Sequence, residues 1–238
     1  MRNVVLGAAL VIAVAAPAQA QMAWTDRGYA NLNGLLQTAS RDVSASGSFD
    51  LYEEVATFDA PREIGSGMVV DLSGGYKVWR NLAIGLGYSR FSNTDNVTVT
   101  ARIPDPIVFD SPNEQTLSAG DLEHSESAVH LSAVWFYPVT DKIDVAFSAG
   151  PSFFTVKETH VTAVTVQSNT SIVSGVSVGN AKESGTGLHA GVDVTYLVTP
   201  RIGAGVLLRY AGASVDLPGA EDIGVGGFQL GVGVRVRF

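Results

Sequence analysis

The sequence predicts an all-β fold, an eight-stranded antiparallel up-and-down transmembrane β-barrel with long extracellular loops. Three observations carry this. Apolar residues recur with a period of two along most of the chain. Three short stretches, YKVWRNLAIG (76–85), YPVTDKIDVA (137–146) and YLVTPRIGAG (196–205), repeat a tyrosine, a valine two residues on and a tight turn. The segments between them alternate with longer, acidic connections.

Taken in chain order, MRNVVLGAALVIAVAAPAQA opens with Arg2, continues through an apolar run and closes on Ala18-Gln19-Ala20. That pattern is a secretory leader, and its apolar core is too short for a membrane-spanning helix. Residues 1–20 are therefore expected to be cleaved, leaving 21–238 as one barrel domain. There are no cysteines, so stability does not come from disulfides. The net charge of −8 and the lack of a basic patch argue against nucleic acid as a partner.

The first strand is the weakest, with Ala30, Leu32, Gly34 and Leu36 on one face. Met68, Val70, Leu72, Tyr76 and Val78 mark the second, and Leu82, Ile84, Leu86 and Tyr88 the third. Val129, Leu131, Ala133, Trp135 and Tyr137 form the fourth; Ile143, Val145, Phe147, Ala149 and Phe153 the fifth. The sixth runs from Leu188 to Tyr196, the seventh from Ile202 to Tyr210, and the eighth from Phe228 to Phe238. Opposite every apolar face stand Gly, Ser and Ala with a few ionisable groups. A soluble barrel turns its bulk inward and its charges outward. Here the continuous bulky face has the length that crosses a hydrocarbon layer at a tilt, so the small and charged face is assigned to the lumen. Aromatic rings favour the headgroup boundary. Tyr76, Tyr137, Tyr196 and Phe238 are expected in one girdle, and Tyr88, Phe153, Tyr210 and Phe228 in the other. The three similar stretches are then tight turns on one side of the membrane.

The inward ionisable set is Asp71, Lys77, His130, Asp144, His189, Asp193, Arg209, Arg235 and Arg237. A lone charge in a narrow lumen is costly, so these are expected to pair, with Asp71, His130, His189, Asp193, Arg209 and Arg235 as the lumen charge network. The network either fills the barrel or lines a narrow conduit for small solutes.

The long connections, about 39–63, 92–126, 157–184 and 213–224, hold most of the 23 acidic residues. Clusters are Asp50/Glu53/Glu54/Asp59, Asp121/Glu123/Glu126 and Asp216/Glu221/Asp222. They suit a hydrated anionic surface, extracellular ligands, or divalent cations, which take oxygen ligands. VTVTARI (97–103) and the 160–178 segment alternate and are expected to continue strands above the membrane, the latter turning near Ser168-Asn169. The alternative is a barrel of ten or twelve strands.

The leader, eight alternating strands, uneven connections and a last strand closing VGVRVRF resemble small outer-membrane β-barrel proteins of the OmpA-like transmembrane-domain type. The resemblance implies location in the bacterial outer membrane, contact with its lipids and lipopolysaccharide, and recognition of Phe228, Val234, Val236 and Phe238 by the barrel-assembly machinery. A periplasmic peptidoglycan-binding domain is not expected, nor is a cofactor. No catalytic motif appears: His124 has only Ser125 and Asp121 as sequence neighbours, and the chain is expected not to be an enzyme. The expected role is structural or surface interaction through the acidic loops.

Overall fold

The computed structural model describes residues 26–38, 41–217 and 220–238. The expected leader lies outside the described residues, as do the side chains of Glu221 and Asp222. Among the described residues ten strands form: β1 (Gly28–Gln37), β2 (Arg41–Leu51), β3 (Glu54–Ile64), β4 (Gly67–Trp79), β5 (Leu82–Ile103), β6 (Asn113–Pro138), β7 (Ile143–Val166), β8 (Val173–Leu197), β9 (Ile202–Leu217) and β10 (Ala220–Arg237). All pairings are antiparallel. Eight strands close a ring in the order β1-β4-β5-β6-β7-β8-β9-β10, sealed where β10 returns to β1 with Gln37 opposite Gln229 and Ala30 opposite Val236. A closed ring leaves no backbone edge facing lipid, which is what a hydrocarbon layer demands.

The remaining two strands correct the reading of 39–63 as a loop. β2 and β3 form a hairpin standing above the ring between β1 and β4, and β3 pairs with β5 at Thr57–Asp59. Its alternation was masked by small and acidic residues: Ala56, Phe58, Ala60, Arg62 and Ile64 share one buried face, while the intervening positions are exposed. Much of the other long connections is strand as well. β5 and β6 stay paired out to Ile103 and Asn113. β7 and β8 stay paired up to a turn at 167–172, where Asn169 is left-handed and Thr170 N–H donates to Gln167 O at 3.2 Å. The expected extensions at 97–103 and 160–178 thus lengthen ring strands and add none to the ring.

At the opposite end the connections are tight. Thr140 and Thr199 each accept backbone N–H bonds through their hydroxyls, from Lys142 and Ile143 in one turn and from Arg201 and Ile202 in the other. This shared local bond is why these two stretches resemble each other. The turn after β4 differs: it is shorter and places Arg80 in the left-handed region.

Side-chain direction follows period two along the ring strands. Leu32, Met68, Val70, Leu72, Ile84, Leu86, Leu188, Val206, Leu208, Leu230 and Val232 are exposed on the outer wall. With them on that wall stand Tyr76, Tyr137 and Tyr196 toward the tight turns, and Tyr88, Phe153, Tyr210 and Phe228 toward the upper end. Val234, Val236 and Phe238 continue the outer face of β10, and Phe238 exchanges both backbone hydrogen bonds with Gly28 at the β1–β10 seam.

Above the ring the polarity reverses. The inward positions become apolar, and a core gathers Phe58 of β3, Val97, Val99 and Ile103 of β5, Leu122 of β6, Val161 and Val164 of β7 and Val173 of β8. The facing side chains of β2, Ala45, Phe49 and Leu51, pack onto it. On β5 one inward parity runs from the polar interior up into the apolar one, whereas β6 and β7 each shift parity at an irregularity between the two.

Candidate functional site

The lumen is built in layers, each set by inward positions on adjacent strands. Nearest the tight turns, Arg235 donates through Nε to Asp193 Oδ1 at 3.1 Å and pairs with Asp193 again through Nη2. Arg237 pairs with Asp144. Thr195 donates to Asp193 at 2.9 Å, and the Tyr29 and Phe136 rings meet edge to face at 5.3 Å. Lys77 is partly exposed at this end.

A cavity of about 70 Å³ lies above that layer, bordered by Ser132, His130, His189, Arg209 and Arg235. It has room for a few water molecules. On its far side Arg209 donates through Nη1 to Asp71 Oδ2 and through Nε to Gln229 Oε1, both at 2.8 Å. Asn33 holds the other Asp71 oxygen at 2.7 Å. Gln229 donates to Gln37 at 2.8 Å.

The two inward histidines form a separate chain. Ser89 Oγ lies 2.9 Å from His130 Nε2; His130 Nδ1 lies 2.8 Å from Ser152 Oγ. Ser152 Oγ lies 2.9 Å from His189 Nδ1, and His189 Nε2 lies 2.8 Å from Ser132 Oγ. With each imidazole carrying one N–H, every bond is satisfied if the hydroxyls and rings all donate in one direction along the chain. The reversed direction satisfies it equally.

The upper layer was not foreseen from sequence. Gln37 donates to Glu126 at 3.3 Å, and Gly226 N–H donates to the same carboxylate at 3.0 Å. His124 sits between Glu126 at 3.1 Å and Glu158 at 3.2 Å, with Phe91 edge-on at 6.1 Å. Arg62 closes the layer: it donates to Leu122 O at 2.6 Å and Thr159 O at 3.4 Å, and lies 3.7 Å from Asp95 and 3.9 Å from Glu158. His124 thus turns inward between carboxylates, while Asp121 is exposed and left-handed at an irregularity in β6. The signal for it was available. His124, Glu126, Ala128 and His130 alternate on the inward face of β6, and Ser152, Phe154, Val156 and Glu158 do so on β7.

His124 lies above the upper aromatic ring. Burial disfavours its charged form, but hydrogen bonds and charge from Glu126 and Glu158 outweigh that and hold its pKa above the ordinary value. The stabilisation it contributes is complete below the unfolded-chain pKa of about 6.5 and is lost as pH rises through the higher folded value. Limited proteolysis of the region above the ring is expected to quicken as pH rises above about 6.5. His124→Gln should remove that step; the same step in the variant would assign it to other groups.

The predicted lumen set is therefore placed inside the ring, divided among several contacts instead of one network. Asp71 meets Arg209, Asp193 meets Arg235, and His130 and His189 meet serines. Among the described residues no group of three or more His, Cys, Asp and Glu is arranged to hold a metal ion.

No curated protein sequence matches the chain. Among solved structures, Neisserial surface protein A is 14% identical, covers 89% of this chain and 97% of its own, and has a TM-score of 0.47. The outer membrane protein OprG from Pseudomonas aeruginosa is 11% identical, covers 90% of this chain and 97% of its own, and has a TM-score of 0.45. The outer membrane protease OmpT from Escherichia coli is 10% identical, with coverage of 90% and 97% and a TM-score of 0.45. One of these structures is a protease, and the expectation that the chain is not an enzyme is withdrawn. The sequence itself matches the family described as "Outer membrane protein beta-barrel domain" over residues 6–235, nearly the whole chain, and the protein belongs to that family of outer-membrane β-barrels.

Proposed function

We propose that the protein is a structural and surface-interaction barrel, whose filled transmembrane ring carries a rigid extracellular cap. The observation behind this reading is the way three upper turns are laced together. Tyr52 of the β2–β3 turn donates to Thr170 O in the β7–β8 turn at 3.0 Å. Glu54 accepts from Asp110 N in the β5–β6 loop at 2.7 Å. Gln115 at the start of β6 bonds Ser171 O and accepts from Val173 N at 3.1 Å. Within the β5–β6 loop, Asp105 accepts from Ile107 N and Val108 N at 2.8 and 3.1 Å. What this frame presents is apolar. Ile107 is 86% exposed and Phe109 68%, with Val108 and Ile172 beside them in the chain and in the neighbouring turn. Exposed apolar clusters rimmed by polar groups mark interaction sites. Asp50, Glu53, Glu54, Asp105, Asp110 and Glu114 make the rim acidic, which favours a basic polypeptide as partner.

The chain in lipid nanodiscs, applied to an array of immobilised peptides, is expected to bind peptides combining basic and apolar residues. Ile107→Asp with Phe109→Asp should lower that binding at least tenfold, and undiminished binding would overturn the reading.

The second reading, a narrow conduit for small solutes, is favoured by the cavity beside His130 and Arg209. The charged layer at Arg62 and the apolar core above it oppose passage. Steady unitary currents from the refolded chain in a planar bilayer would decide for the conduit. In either reading the outward aromatics are the proposed headgroup anchors. Phe228, Val234, Val236 and Phe238 are the proposed contact for the assembly machinery. The exported barrel's surroundings are outer-membrane lipids and lipopolysaccharide.

A further inference from the structure

The region above the membrane is acidic, yet three cations stand together on its outer wall. Arg90 on β5, Lys157 on β7 and Lys182 on β8 all face outward and are exposed. With Ser125, Thr159 and Asn180 they border one groove of about 340 Å³, which Glu123 also borders. Lys157 and Lys182 are directly opposed across the β7–β8 ladder. Like charges so placed repel across about 5 Å and weaken the sheet. None of the three cations is in an ion pair with another described residue.

Their height is informative. Arg90 is two residues beyond Tyr88 on the outward face of β5, about 7 Å further along the strand. Lys157 is four residues beyond Phe153 on the same face of β7, about 13 Å along a tilted strand. Both positions lie just past the upper aromatic ring, and long basic side chains reach back toward the interface. The opposed lysines, a fork-shaped guanidinium and the hydroxyl and amide groups between them supply donors to a shared anion.

We propose that Arg90, Lys157 and Lys182 form a binding site for the phosphorylated headgroup of an outer-leaflet lipid. A phosphate between Lys157 and Lys182 cancels their repulsion, and Arg90 takes a second oxygen or a second phosphate on the same headgroup. The site lies on the outer wall, apart from the lumen and from the apolar tip.

The test uses the full refolded barrel in nanodiscs of zwitterionic phospholipid, with and without a diphosphorylated glycolipid such as lipid A. Retained glycolipid is read by native mass spectrometry. The wild-type chain is expected to retain it at least tenfold more than the triple variant Arg90→Gln, Lys157→Gln, Lys182→Gln, with folding of both checked by heat-modifiable mobility. Equal retention by two folded chains would overturn the site. Inorganic phosphate is titrated against the chain in lipid-free detergent; saturation at micromolar phosphate would move the ligand from lipid to free anion and overturn the lipid assignment. Lys157→Glu guards against a purely structural explanation. In lipid-free detergent it should raise the unfolding temperature by pairing with Lys182, yet abolish glycolipid retention. Unchanged retention in that variant would also overturn the proposal.

Discussion

Arg209→Leu is expected to destabilise the barrel by about 3–5 kcal/mol, the usual cost of removing one partner from a buried ion pair. The pair is fully enclosed: the side chains of Arg209 and Asp71 are 6% and 0% exposed. Removing the guanidinium leaves the Asp71 carboxylate with Asn33 as its side-chain donor among the described residues, and frees Gln229 Oε1 as well. The loss should appear as a lower midpoint in urea unfolding from lipid, followed by tryptophan fluorescence. Adding Asp71→Asn to Arg209→Leu should recover much of it, because the uncompensated charge is then gone. An unchanged midpoint in the single variant would mean that water in the adjacent cavity already solvates Asp71.

Phe58→Ala is expected to act on the opposite end. Phe58 is buried in the apolar core above the ring and its ring covers Gly47 on β2, where an added Cβ would come within 2.5 Å of it. Truncating a buried phenylalanine costs about 3–5 kcal/mol. Among the described residues the β2–β3 hairpin joins the ring's backbone ladder through Thr57–Asp59 alone, so the loss should fall mainly on the hairpin. Hydrogen exchange in β2 and β3 should speed up at least a hundredfold, while β1, β4 and β9 keep their protection. Uniform acceleration through the ring would show that cap and ring unfold as one unit.

How much of this could be read from the sequence depended on side-chain size. Strands such as Phe228–Phe238 and Ile202–Tyr210 pair large apolar residues with glycine and charge, so their period and facing were plain. The β2–β3 hairpin escaped because Ala45, Gly47, Ala56, Ala60 and Arg62 break up the bulk of its inward face, and its exposed face mixes Ser, Asp, Glu and Thr. The lumen residues could be placed inside but not paired. Pairing depends on ring order and stagger, which brought Asp71 on β4 to Arg209 on β9 and Glu126 on β6 to Gly226 on β10. Neutral side chains also went unnoticed: Asn33, Gln37, Gln229 and Ser152 complete the network, yet nothing in local sequence distinguishes them from other polar strand residues.

The apolar core above the ring bears on the order of events during biogenesis. Its members come from β3, β5, β6, β7 and β8, with β2 laid against them, so no single hairpin contains a workable fraction of it. Each hairpin has to be threaded to the far side in extended form before its neighbours are there to receive it. The outer surface is then the last part to acquire its shape. A chain stalled before β7 and β8 arrive lacks the Thr170 and Ser171 carbonyls that lace the β2–β3 turn and β6 together, so the frame behind the tip is completed only in molecules that have inserted that far.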